Sequence, residues 1–123
     1  MELKINKKIK GTPEEVYRAF TNPFTIELWT DEPAVMQEEA GTEFSWLGGD
    51  IAGRNLEFIP NELIRQVWYF EEGESEVTIQ LFADKQYTQV RIFQINIPED
   101  AYENIKQGWK ESVLEPLSDF FEA

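Results

Sequence analysis

Apolar residues recur every three or four positions near the end of the chain: Tyr102, Ile105, Trp109, Val113, Leu117 and Phe120, with Glu103, Lys106, Lys110, Glu111, Glu115 and Asp119 between them. That spacing predicts one long amphipathic helix within Pro98 to Ala123, its start favoured by Glu99 and Asp100. Pro116, inside the pattern, removes one backbone donor and predicts a kink in the last turns. A stripe of this width needs a large apolar surface beneath it, and the residues before it read as strands.

Leu3, Ile5 and Ile9 interleave with lysines and predict a strand with one buried face, ended by Gly11. Thr12-Pro13-Glu14-Glu15 is a helix start: Thr12 caps, Pro13 takes the first position and Glu15 the third, completing a capping box. Val16, Ala19 and Phe20 are the buried side of that helix. Asn22-Pro23 interrupts, and a second short helix runs from Pro23 to Trp29. Strands are then expected at Ala34–Gln37, Glu43–Leu47, Ile51–Ile59, Leu63–Phe70, Glu76–Ala83 and Tyr87–Ile97, separated by turn residues such as Gly48-Gly49-Asp50. Short turns make consecutive strands antiparallel neighbours. The pattern is α+β: a curved antiparallel sheet with the long helix across its concave face.

Composition narrows the function. The 123 residues suit one domain with one core. No apolar run approaches a membrane span, and Met1–Lys10 has lysines but no apolar core of a secretory signal. Without Cys there is no disulfide or thiolate metal site, and a cytoplasmic location is expected. The formal net charge of −13 sets the surface against nucleic acid and anionic lipid. No His is present, which removes the commonest general base and the usual neutral zinc ligand. No cofactor or metal site is expected.

Strand parity decides which side chains face the helix. Ile64, Gln66, Trp68 and Phe70 share one face, as do Val77, Ile79 and Leu81, then Thr88, Val90, Ile92 and Gln94, and Arg54, Leu56 and Phe58. The space beneath the helix is thus apolar with isolated polar groups, and aromatic residues crowd it. Trp29, Phe44, Trp46, Arg54, Phe58, Gln66, Trp68, Gln94, Tyr102 and Trp109 are the candidate lining of a ligand cavity, apolar walls with a few orienting groups. The same residues can equally fill a solid core. In that case Arg54 snorkels to the rim and Gln66 and Gln94 satisfy each other. The opposite parity places Val67, Tyr69, Phe82, Phe93 and Ile95 on the convex face, which allows a homodimer as well as a monomer.

Pro13-Glu14-Glu15-Val16-Tyr17-Arg18-Ala19-Phe20-Thr21-Asn22-Pro23 followed by Leu28-Trp29 resembles the opening of the START-like superfamily. Within it the chain resembles the heat-shock-protein-90 ATPase activator homologue family, in its C-terminal-domain type. Gly41-Thr42-Glu43-Phe44, the run Gly53 to Ile64 with Trp68 after it, and Gly108-Trp109 with Leu114 and Leu117 match that family's later motifs. The resemblance spans nearly the whole chain and implies one START-like domain over residues 1–123, a helix-grip fold with seven strands around the C-terminal helix and two short helices after the first strand. It also implies departures: Gln94 stands where the family has a histidine, Thr42 where it has a second glycine, and the stretch before the last helix is short.

Three functions follow as expectations. The first is binding of a small hydrophobic or aromatic ligand between sheet and helix, where an inward Arg54 would favour an anionic or carbonyl-bearing guest. The second is a protein-interaction module that acts, like the family's namesake, as a co-chaperone. The third is an enzyme of cyclase or hydrolase type, for which the sequence offers no paired carboxylates facing the cavity.

Overall fold

The computed structural model describes residues 1–123. Strand β1 (Leu3–Ile9) is followed by two short helices, α1 (Pro13–Thr21) and α2 (Pro23–Thr30). Five strands come next: β2 (Glu43–Trp46), β3 (Ile51–Ile59), β4 (Leu63–Phe70), β5 (Gly73–Asp84) and β6 (Tyr87–Gln94). The chain ends in α3 (Tyr102–Gly108), a π-helical stretch (Trp109–Leu114) and α4 (Glu115–Glu122). The strands form one open antiparallel sheet of six in the order β1-β6-β5-β4-β3-β2, so β1 and β2 are its edges. No helix is long and apolar enough to cross a membrane.

Local chemistry sets the helix ends. The Glu15 amide donates to Thr12 Oγ1 at 3.2 Å and the Thr12 amide donates to Glu15 Oε1 at 2.9 Å, closing the capping box. The Thr12 amide, and after it the Thr12 hydroxyl, donate to the Glu15 carboxyl and hold it below its usual range. Asn22 ends α1 and caps α2, accepting from the Thr25 amide at 3.0 Å. Asp31 closes α2 in the left-handed region at φ 58°.

The sheet has six strands rather than the seven expected. Ala34–Gln37 does not form a strand: Val35 alone bridges Ser45, with two backbone bonds of 2.9 Å, before the bend at residues 38–41 turns the chain away. The kink expected at Pro116 takes another form. Because Pro116 offers no N–H to the preceding turn, the helix widens just before it, and the Glu115 amide reaches back to the Lys110 carbonyl.

The register of β3 departs from simple alternation. A bulge lies between Asn55 and Glu57, so Gly53 and Asn55 pair with Trp68 and Gln66 before it, and Phe58 with Ile64 after it. Inward parity therefore changes at the bulge. Gly53 sits at a close approach between strands, where a Cβ would lie 1.8 Å from the Val67 carbonyl oxygen. Elsewhere the parities agree with the sequence reading: Ile64, Gln66 and Trp68 on β4, Val77, Ile79 and Leu81 on β5, and Thr88, Val90, Ile92 and Gln94 on β6 are all buried.

On the convex face Tyr69 and Phe82 are exposed, Phe93 and Ile95 are half-buried, and Val67 is buried. Cations lie across three aromatic rings there: Lys4 over Phe93 at 5.4 Å, Lys8 over Tyr87 at 4.6 Å and Arg91 over Phe82 at 4.8 Å.

Candidate functional site

Beneath the terminal helix the chain's own aromatic rings meet. Trp109 stacks on Trp68, centroids 4.9 Å apart and planes 18° apart. Trp68 meets Trp46 edge-on at 6.3 Å, Trp46 lies 5.4 Å from Phe44 and 6.1 Å from Phe20, and Phe20 meets Trp29 at 6.2 Å. The result is a continuous run of rings from the helix to α2.

Two hydrogen-bond relays fasten the central stack to the sheet. The Trp109 indole donates to Gln94 Oε1 at 2.7 Å, Gln94 Nε2 donates to Ser75 Oγ at 3.0 Å, and Ser75 donates to the Ile95 carbonyl at 2.6 Å. The Trp68 indole donates to Gln66 Oε1 at 3.0 Å, and Gln66 Nε2 donates to Asn55 Oδ1 at 3.4 Å. Asn55 Nδ2 in turn donates to the Gln37 carbonyl at 3.2 Å and Thr42 Oγ1 at 3.1 Å. The two glutamines thus serve the tryptophans and not each other. An indole N–H buried without an acceptor costs about 1–3 kcal/mol, which explains why polar side chains sit at these depths. Trp29 donates to the Ala19 carbonyl at 2.7 Å, whereas Trp46 Nε1 is buried with no partner.

The ten residues singled out by sequence fall into three groups. Trp29, Phe44, Trp46, Gln66, Trp68, Gln94 and Trp109 come together in the interior. Phe58 and Tyr102 are half-buried and pack at its margin. Arg54 is on the convex face, 3.6 Å from the Glu74 carboxylate, because the bulge after it reverses the parity on which its inward placement relied. Asn55 and Ser75 complete the relays and were missed. An asparagine in an otherwise strand-forming run was the available signal for the first, since Asn is depleted in strands; Ser75, in an acidic turn sequence, carried none.

One cleft reaches this interior. It has a volume of about 170 Å³ and opens between the β2–β3 connection and the terminal helix, where Leu47, Ile51 and Ile105 line it with Trp68 and Trp109 beside Asp50. Leu47 holds the left-handed φ of 54° at its mouth. A second polar contact lies outside: the Tyr17 hydroxyl donates to Glu38 Oε2 at 2.6 Å, and burial together with that carboxylate raises its pKa well above the usual tyrosine range.

A sheet gripping one long helix, with two short helices after the first strand, defines a START-like protein. Residues 10–122 match the family described as Activator of Hsp90 ATPase homolog 1-like protein, and the chain belongs to it. It is 32% identical over 97% of its length to "Activator of 90 kDa heat shock protein ATPase homolog" of Dictyostelium discoideum, covering 32% of that relative. It is 28% identical over 89% of its length to homolog 1 of Homo sapiens, covering 34% of it. The chain therefore spans about a third of the length of the curated relatives it matches. Among solved structures, an HSP90 activator from Plasmodium falciparum superposes with a TM-score of 0.90 at 24% identity, over 98% of this chain and 95% of that one. The Aha1 dimer from Colwellia psychrerythraea superposes with a TM-score of 0.85 at 22% identity, over 99% and 96%.

Proposed function

We propose that this chain is a protein-interaction module of the co-chaperone type, which docks on a 90 kDa heat shock protein and modulates its ATPase. The observation that carries this reading is the filled interior. Where a ligand would lie under the helix, the Trp68–Trp109 stack occupies the space and its two donors are bonded to the chain's own glutamines. The residual cleft of about 170 Å³ is smaller than the roughly 300–1,000 Å³ of ordinary ligand pockets. Recognition then falls to the outer surface, and the curated relatives are named for the same chaperone. The test is the ATPase turnover of the 90 kDa chaperone during titration with the chain: a saturable change that weakens with added salt is expected from this acidic surface. Turnover that stays flat at every concentration, with no complex by calorimetry, would refute it.

A second reading rests on the cleft itself. Trp68 and Trp109 at the cleft floor, with Leu47, Ile51 and Ile105 around them, suit one small flat apolar or aromatic molecule, with Leu47 and its connection moving to admit it.

A further inference from the structure

The convex face carries a cationic hollow in a chain whose charge is otherwise strongly negative. Lys4 and Arg91 line it with Asn6, Thr78, Gln80 and Phe93, around a volume of about 480 Å³, and none of these side chains is a carboxylate. The contrast with the other arginines is sharp. Arg18, Arg54 and Arg65 each have a glutamate within 4.0 Å, whereas Arg91 has none, in a chain with 24 acidic and 11 basic residues. With acids in such excess, a free arginine is a surface kept clear of them.

Arg91 is also held in place. Its guanidinium lies 4.8 Å from the Phe82 ring centroid, and its Nε donates to Asn6 Oδ1 at 3.4 Å. Those contacts leave the two terminal nitrogens as an unoccupied fork, the geometry that takes a carboxylate through two parallel bonds. The Lys4 ammonium likewise lies over the Phe93 ring, 5.4 Å from its centroid. Lysines on an edge strand such as β1 also discourage edge pairing. That explanation does not reach Arg91, which lies on the second strand, β6, opposite Asn6.

We infer that this hollow docks an extended, carboxylate-rich segment of a partner protein. Lys4 faces Phe93, two residues along β6 from Arg91, so the two residues lie on adjacent strands and are offset by one pleat repeat along the strand direction. One repeat is about 7 Å, the spacing of alternate side chains on an extended peptide. A segment with acids at every second position places one carboxylate on the Arg91 fork and the next at Lys4. The partner's identity under the proposed function does not enter this argument, and the two stand or fall separately.

The probe is a short fluorescein-labelled peptide of alternating Glu and Ser, followed by anisotropy at low salt, with its Gln counterpart and a single-stranded oligonucleotide as comparisons. Saturable binding of the Glu peptide is expected, weakening as salt rises. Arg91→Gln should lower the affinity about tenfold, Lys4→Gln less, and Arg91→Lys should recover only part of the loss, since a point charge cannot replace a fork. Lys106→Gln with Lys110→Gln, on the terminal helix, should leave affinity unchanged. Near-ultraviolet circular dichroism of the Trp68–Trp109 stack, on the opposite face, reports whether each variant is folded. The salt series on the unmodified chain decides the matter even if a variant is not. Salt-independent binding, equal binding of the Gln peptide, equal affinity after Arg91→Gln and Lys4→Gln together, or tighter binding of the oligonucleotide would each overturn the inference.

Discussion

The relay beneath the helix can be broken at one atom. Gln94→Leu keeps the approximate volume of the side chain but removes the acceptor of the Trp109 indole and the donor to Ser75. Ser75 retains its bond to the Ile95 carbonyl, so the main orphan is the Trp109 N–H, 1% exposed and out of reach of water. Leaving such a donor unpaired costs about 1–3 kcal/mol. For a chain of this length that corresponds to a fall in Tm of roughly 4–12 °C. The sharper assay is a double-mutant cycle with Trp109→Phe, followed by urea unfolding of all four proteins. Trp109→Phe alone loses packing and the bond. Once the indole is gone, Gln94→Leu strands no donor there, and its cost should shrink by about 1–2 kcal/mol. Equal costs of Gln94→Leu in both backgrounds would show that the hydrogen bond contributes nothing, and the relay would be reduced to a coincidence of packing.

Three further outcomes follow from the same geometry. Trp46→Phe, which removes a buried N–H that has no partner, should destabilise less than Trp109→Phe in the same urea series; a larger cost would contradict the assignment of the unpaired indole. Gly53→Ala places a methyl group 1.8 Å from the Val67 carbonyl oxygen, so the β3–β4 pair must separate, and a loss of about 1–3 kcal/mol or failure to fold is expected, read from the yield of folded protein and its Tm. Glu15 has a folded-state pKa lowered chiefly by the Thr12 amide, so its contribution is present above the unfolded carboxyl pKa and is lost as pH falls through the folded value. The Tm of Glu15→Gln, followed by far-ultraviolet circular dichroism, should therefore decline less on acidification than that of the unmodified chain.

Most of the fold was legible because its signals are local and repeated. Thr12 and Glu15 state where α1 begins, Asn22 where it ends, and the alternation in β4, β5 and β6 states which side chains face the helix. Two features escaped for physical reasons. The bulge after Asn55 has no residue that demands it, and a single extra residue reverses the parity of everything before it; Arg54 went outward and Asn55 inward. The Ala34–Gln37 segment has strand-like composition, but the bend at residues 38–41 limits it to one bridge. Aromatic composition identified Trp46, Trp68 and Trp109 as neighbours, yet composition alone does not distinguish rings that line a space from rings that fill it. That distinction rests on the stacking distance and on which atoms the glutamines bond.

Fluorine NMR of the chain carrying fluorotryptophan at its four tryptophans tests the filled interior most directly, since each ring gives its own resonance. Titration with indole and with benzoate to their solubility limits should leave the Trp68 and Trp109 resonances unmoved. A saturable shift of those two signals would mean that a guest reaches the stack, and the filled interior would no longer support recognition through the outer surface.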